Sequence, residues 1–148
     1  RTCEAFIVAT ANAVNKLPAA LLRKGRFDRI FFVDLPTESE RVAILKTALK
    51  QYRRENVAID CAAVAAASIN FTGSEIAALV PDALFLSYND AKREVTTADL
   101  LAIARGTVPL SRTAAASIEA SRQWGKANAV AASSEVTAPG ASVRRLDI

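Results

Sequence analysis

Two arginines near the start of the chain have the type and spacing for phosphate chemistry. Arg23 and Arg26 lie three apart in Leu21-Leu22-Arg23-Lys24-Gly25-Arg26-Phe27-Asp28-Arg29, between two apolar, strand-like runs. Arginine is always charged and offers a planar fork of donors that suits phosphate oxygens. Asn12 lies eleven residues before Arg23, at the end of Phe6-Ile7-Val8-Ala9-Thr10-Ala11-Asn12. Ligands of open α/β sheets sit at that carboxyl end of a strand. By themselves the arginines also read as solvated surface charge and Asn12 as a turn residue, so the elements around them decide.

Composition narrows the chemistry. The chain has 148 residues, of which 51% are hydrophobic, and many of these are alanine. Alanine favours helix and buries little area, which predicts a helix-rich protein with thin cores. No apolar run approaches a membrane span. Cys3 and Cys61 are isolated and histidine is absent, which leaves no zinc-site spacing and no histidine-based nucleophile system. The two cysteines read as structural, in keeping with a reducing cytoplasm. The formal charge is +4 with acidic residues interspersed, and no stripe of basic and aromatic residues marks a nucleic-acid surface. Arg1 is not an initiator, and the chain contains no Met; the reading is of a chain that starts within a longer protein.

The elements that must position these residues follow in order. Residues 5–9 and Ile30-Phe31-Phe32-Val33 before Asp34 are continuous apolar runs, as expected of strands buried on both faces of a parallel sheet, so 5–9 and 30–34 are the two strand candidates. Leu17-Pro18-Ala19-Ala20-Leu21-Leu22 predicts a short helix with Pro18 in its first turn, ended by Gly25. Thr37-Glu38-Ser39-Glu40 is a capping box opening a helix to about residue 54, with Val42, Leu45, Leu49 and Tyr52 on one face and Ile44 and Ala48 on a neighbouring stripe. Asp60 caps an alanine-rich helix to about Ser68. Thr72-Gly73-Ser74-Glu75 is a second capping box, opening a helix with Ile76, Leu79, Val80 and Ala83 inward. Pro81 should kink or split that helix. A short helix over residues 100–105 follows Thr96 to Asp99. Residues 111–128 predict one more helix with a poor apolar face, since Ile118 and Trp124 share no stripe; it reads as loosely attached, with a partner-contacting helix as the alternative. From Val130 onward Ala, Ser, Thr, Pro and Gly dominate, the composition of a disordered tail.

Taken together, these motifs resemble the AAA-family ATPases. The resemblance rests on an apolar strand ending Ala9-Thr10-Ala11-Asn12, a helix into Leu21-Leu22-Arg23-Lys24-Gly25-Arg26-Phe27-Asp28, a strand into Leu35-Pro36, and Phe71-Thr72-Gly73-Ser74-Glu75-Ile76. It implies an α/β remnant, two parallel-type strands of a P-loop NTPase sheet, followed by a mainly α-helical lid. Residues 1–36 would be the end of the large α/β subdomain, 37–108 the lid, 109–128 a C-terminal helix and 129–148 the tail. Asn12 matches sensor 1, which orients the attacking water or contacts the γ-phosphate. Arg23 and Arg26 match arginine fingers, which act in trans on ATP held by the next subunit of a ring. Phosphoryl transfer spreads negative charge over the γ-phosphoryl oxygens, and a placed arginine supplies about 10³–10⁵ in rate. Gly73 and Ser74 match the sensor-2 segment, with Ser74 where many members have Ala. Ile44 and Ala48 match positions on the adenine side of the lid, Ala48 standing where members often carry a polar residue or His. Cap and core roles are the alternative for these four.

The departures shape the functional expectation. No Gly-x-x-x-x-Gly-Lys-Ser/Thr occurs, and no apolar strand ends in paired acidic residues, so the phosphate-cradling loop and the Mg²⁺-holding carboxylates are not in this sequence. The expectation is a C-terminal part of an ATPase subunit that does not hydrolyse ATP alone, with ATP and Mg²⁺ as the intact protein's cofactors and no metal ligand here. Its partners would be copies of itself in a ring, with six as the expected number, and a macromolecule to be remodelled. In the family's sheet the two strands kept here flank the P-loop strand, so both should be left with unpaired edges and exposed apolar faces, making the α/β part marginal or aggregation-prone while the lid could fold alone. A non-catalytic binding or assembly module with an AAA-like lid is the alternative, and a basic nucleic-acid-binding domain a third reading.

Overall fold

Reciprocal caps set out the helical part of the molecule. The computed structural model describes residues 5–16, 18, 20–21, 23 and 25–133. Helix α1 spans Glu38–Gln51, α2 Cys61–Ala67, α3 Gly73–Asn89 and α4 Thr97–Gly106. Thr37 and Glu40 close the capping box of α1, and Thr72 and Glu75 that of α3. Ahead of α2, the Ala63 N–H donates to Asp60 Oδ1 at 3.0 Å. Before α4, the Thr96 N–H and hydroxyl both donate to Asp99 Oδ2, at 2.8 and 2.7 Å. Each such cap satisfies donors that the first turn of a helix leaves unpaired.

The helices pack in a closed square, with α1 against α2 and α3, and α4 against α2 and α3. Leu45, Val64, Ile76, Leu79, Val80 and Leu100 meet inside it, and Phe71 and Val95 close it from the connecting loops. Ile76, Leu79, Val80 and Ala83 all point inward as their spacing requires. Cys61 belongs to this core, and burial pushes its thiol pKa up; Cys3 lies outside the described residues. Arg41, which no spacing rule marked, is buried and fastens two elements. Its Nε donates to the Ala65 carbonyl at 2.8 Å and its Nη1 to the Pro36 carbonyl at 3.0 Å.

Two expectations for these helices need correcting. Tyr52 does not join the inner face of α1: the helix ends at Gln51, Arg53 takes a left-handed φ of 56°, and the ring is exposed. Ala48 takes an inner place instead. Of the kink or split expected at Pro81, the split does not occur: α3 runs on through it. An interior proline costs about 3 kcal/mol, whereas burying Leu79 and Val80, just before it, contributes about 1.5–3 kcal/mol each. Burial wins.

The sheet differs more. It has two parallel strands, β1 at Phe31–Phe32 and β2 at Val130–Ala131. The Val130 N–H donates to the Ile30 carbonyl and the Ala132 N–H to the Phe32 carbonyl, each at 2.9 Å. The partner of β1 is therefore not the run over residues 5–9, which forms no strand and leaves Phe6 95% exposed. With no neighbouring ladder among the described residues, that apolar run has nothing to pair with. The supposed tail is ordered through Ser133, and residues 134–148 lie outside the described residues.

The expected single helix over residues 111–128 is two, α5 at Leu110–Thr113 and α6 at Ala115–Asn128, broken at Ala114. Helix α6 is not loose. It packs on β1 through Gly125, the buried position of the helix, which meets the ring of Phe32. Arg122 Nε reaches both oxygens of Asp34 at 2.9 Å.

Candidate functional site

Helix α1 offers Ile44 and Ala48 one turn apart, and with them Thr47 and Gln51, to a shallow groove beside α3. Residues three and four apart share a helical face. The groove is about 250 Å³ and is lined by Ala43, Ile44, Thr47, Ala48, Gln51 and Ala77. The Thr47 hydroxyl donates to the Ala43 carbonyl at 2.8 Å. Gly73, the first residue of α3, stands at its rim: a Cβ there would sit 3.5 Å from Ile44 Cδ1. That is ordinary contact, so within this chain the space does not demand glycine. Ser74 is exposed, and its hydroxyl shares a hydrogen bond with the Thr72 hydroxyl at 3.1 Å. The fold thus puts Ile44 and Ala48 of α1 in one groove and Gly73 of α3 beside Ile44; Ser74 does not line that groove. Sequence reasoning missed Thr47 and Gln51, although their spacing from Ile44 and Ala48 was the signal that would have found them.

The capping glutamates carry a second load. Glu75 Oε2 accepts from the Thr72 N–H at 2.8 Å, while its Oε1 accepts from the Leu110 N–H at 2.7 Å. Burial pushes the Glu75 carboxyl up, but these backbone donors outweigh it and leave its pKa below the usual carboxylate value. Glu40 repeats the pattern, with Oε2 on the Thr37 N–H and Oε1 on the Ser133 hydroxyl. The Ser133 hydrogen bond, followed by that of Thr37, lowers its pKa. Below α4, Arg93 grips Asp99 through two nitrogens at 2.7 Å each, holding that carboxyl well below its ordinary range.

The other predicted site residues lie elsewhere. Asn12, Arg23 and Arg26 are exposed, and among the described residues no hydrogen bond or ion pair joins them to the groove. Between Asn12 and Arg23 the described chain makes a short 3₁₀ turn at Val14–Lys16 and a turn closed by the Leu21 N–H on the Pro18 carbonyl at 2.9 Å. Of the helix expected there, Leu17, Ala19 and Leu22 lie outside the described residues. Gly25 adopts a φ of 90°, a left-handed conformation that side chains avoid, so the turn between the arginines needs a glycine. A larger open groove of about 530 Å³, between α3 and α4 and lined partly by Phe85, Leu86 and Ile103, contains none of the predicted site residues.

No protein-family profile matches the chain, and no solved structure matches it. Curated proteins do. The chain is 40% identical over 126 residues to the uncharacterized AAA domain-containing protein ycf46 of Guillardia theta, covering 84% of this chain and 25% of that protein. Its counterpart in Trieres chinensis is 38% identical over 113 residues, covering 76% of this chain and 22% of that protein. The chain belongs to the AAA family. A further AAA relative, the ATP-dependent zinc metalloprotease FtsH 2 of Sphaerobacter thermophilus, is 41% identical over 96 residues, covering 64% of this chain and 14% of the protease. The chain spans about a quarter of the length of the ycf46 proteins it matches, and it corresponds to a C-terminal segment of the AAA ATPase.

The family binds ATP with Mg²⁺, and the residues present fit one part of that ligand. An aliphatic groove flanked by the hydroxyl of Thr47 and the amide of Gln51 suits a flat, heteroatom-edged base. This AAA segment supplies no glycine-rich loop with lysine to cradle a triphosphate. Among the described residues no cluster of three His, Cys, Asp or Glu side chains could hold a metal ion, and no helix is long and apolar enough to cross a membrane.

Proposed function

We propose that this AAA segment belongs to a cytoplasmic ATPase subunit that works in an oligomeric ring, with six subunits as the expected number, and remodels a macromolecule. Its share of the work is the lid and two sets of γ-phosphate-directed side chains. Ile44 and Ala48 line the adenine side of the nucleotide, with Gly73 and Ser74 as the sensor-2 turn at its edge. Asn12 serves as sensor 1 in the same subunit. Arg23 and Arg26 reach the ATP of the neighbouring subunit, Arg26 being the principal finger. The observation that supports the reading is the groove, which Ile44 and Ala48 of α1 line beside a base-sized space, with Gly73 of α3 next to Ile44. The exposed turn around Gly25 supports the rest, because fingers that act in trans must project from the subunit that carries them.

The test uses the full-length subunit. Arg26→Ala is expected to leave ATP binding nearly intact and to cut turnover by about 10³–10⁵, the range measured for arginine fingers. Lysine there keeps the charge but not the fork, so Arg26→Lys should rescue little. Unchanged turnover in Arg26→Ala refutes the finger assignment. The gene upstream of Arg1 is the companion check. A P-loop and an acidic strand end encoded there support the enzyme; an unrelated domain turns the chain into a binding or assembly module.

A further inference from the structure

We propose that Glu75 is a positioning residue through which the C-terminal segment, residues 107–133, sets the pose of the Gly73–Ser74 turn at the nucleotide groove. The proposal rests on the nucleotide reading of that groove. Gly73 and Ser74 lie inside the capping box, between Thr72 and Glu75, so whatever fixes the Glu75 carboxylate fixes the frame of the turn. One oxygen of Glu75 is committed to the box itself, accepting from the N–H and hydroxyl of Thr72 at 2.8 Å each. The other accepts from the Leu110 N–H at 2.7 Å, across 35 residues of chain. A capping box needs only the first of these. Charge-assisted hydrogen bonds to a carboxylate are short and directional, so the second ties α3 to the start of α5.

The same arrangement recurs at the other helix bordering the groove. Glu40, in the box that opens α1, gives one oxygen to Thr37 and the other to Ser133, just beyond β2. Both helix starts are therefore held from outside by one segment, and that segment is itself anchored to β1. Its anchors are the Arg122–Asp34 ion pair, the Gly125–Phe32 contact and the two hydrogen bonds of β2. A displacement of β1 or α6 is thus passed to the turn at the nucleotide's edge without any direct contact to the nucleotide.

Leu110 allows a test that removes one donor. It is the first residue of α5, where proline is tolerated because that N–H is not part of the helical ladder. Pro109 already has φ −67° and ψ 144°, the extended conformation required before a proline. Leu110→Pro therefore deletes the hydrogen bond to Glu75, while Leu110→Ala keeps it and removes the side chain. In the full-length subunit the expected result is that Leu110→Pro raises the KM for ATP about 3- to 10-fold, the size of one hydrogen bond's net contribution, with kcat within about twofold. Leu110→Ala should match wild type. Glu75→Gln, which keeps one oxygen to share between Thr72 and Leu110, should show the same KM shift if Leu110→Pro fails to fold.

Ile44→Glu, which places a carboxylate in the groove, separates the two levels of the argument. If Ile44→Glu weakens ATP binding while Leu110→Pro, or Glu75→Gln in its place, behaves as wild type, the positioning role is overturned and the groove assignment stands. Equal KM shifts in Leu110→Pro and Leu110→Ala also overturn the role, since the side chain would then be responsible. If Ile44→Glu leaves ATP binding unchanged, the groove assignment falls and takes this inference with it.

Discussion

Replacing Gly125 by alanine should detach the C-terminal helix from the strand it covers and leave the four-helix square intact. A Cβ at Gly125 would lie 2.5 Å from Phe32 Cγ, 2.7 Å from Cδ2 and 2.9 Å from Cδ1. Carbon atoms pack at about 3.5–4.0 Å, so α6 must retreat by about 1 Å or the ring must turn out of its place. A retreat of that size stretches the 2.9 Å hydrogen bonds from Val130 and Ala132 beyond bonding range. Forced overpacking costs about 1–3 kcal/mol. Against this, Gly→Ala favours helix by about 0.8–1.0 kcal/mol, but α6 keeps that gain whether docked or not, so it does not oppose undocking. The loss should appear as about 5- to 100-fold faster amide exchange at Val130 and Ala132, since 1.4 kcal/mol is about tenfold in a local opening equilibrium. Amides in the core of α1 and α3 should exchange as before, and circular dichroism should show no loss of helix. Unchanged exchange at Val130 and Ala132 would refute the claim that Gly125 is there for close approach. Phe32→Ala in the same chain should restore slow exchange at least in part by making room for the new methyl.

Two further outcomes concern stability. The Arg93 grip lowers the folded-state pKa of Asp99, so its contribution is complete above the unfolded carboxyl value of about 3.9 and is lost as pH falls below it. The urea midpoint of the wild type should therefore drop more between pH 6 and pH 3 than that of Asp99→Asn, and equal drops would discount the pair. The run over residues 5–9 has no ladder partner among the described residues and exposes Phe6, Ile7 and Val8. Its amides should exchange at nearly unprotected rates in the isolated chain, whereas strong protection at Phe6 to Ala9 would mean that a second strand pairing exists.

Local rules made most of the helical part legible before any coordinates. Thr37 with Glu40 and Thr72 with Glu75 announce helix starts because their bonds close within one turn. Ile76, Leu79, Val80 and Ala83 announce an inner face because their spacing repeats every helical turn. The family resemblance came from the same kind of information, short strings in a fixed order, and the relatives bear it out. Pro81 marks where a local rule gave way: propensity counted against a continuous helix, and the burial of Leu79 and Val80 outweighed it.

What the sequence could not supply were the meetings between distant residues. Alternation and composition assigned Val130 to a tail, since a strand of two residues carries no pattern of its own; only the open carbonyls of Ile30 and Phe32 make it a strand. No pattern in the sequence singles out Gly125; the ring of Phe32 against it does. No spacing rule marks Arg41, yet two backbone carbonyls from separate segments justify its burial. By itself, then, the sequence determined the starts and caps of α1 to α4, the inward face of α3 and the family, because each is encoded within a few neighbouring residues. The tertiary structure alone decided which strand β1 pairs with, what α6 covers and where the spare oxygens of Glu40 and Glu75 go. Those depend on free energies of contact between segments far apart in the chain, and no local pattern records them.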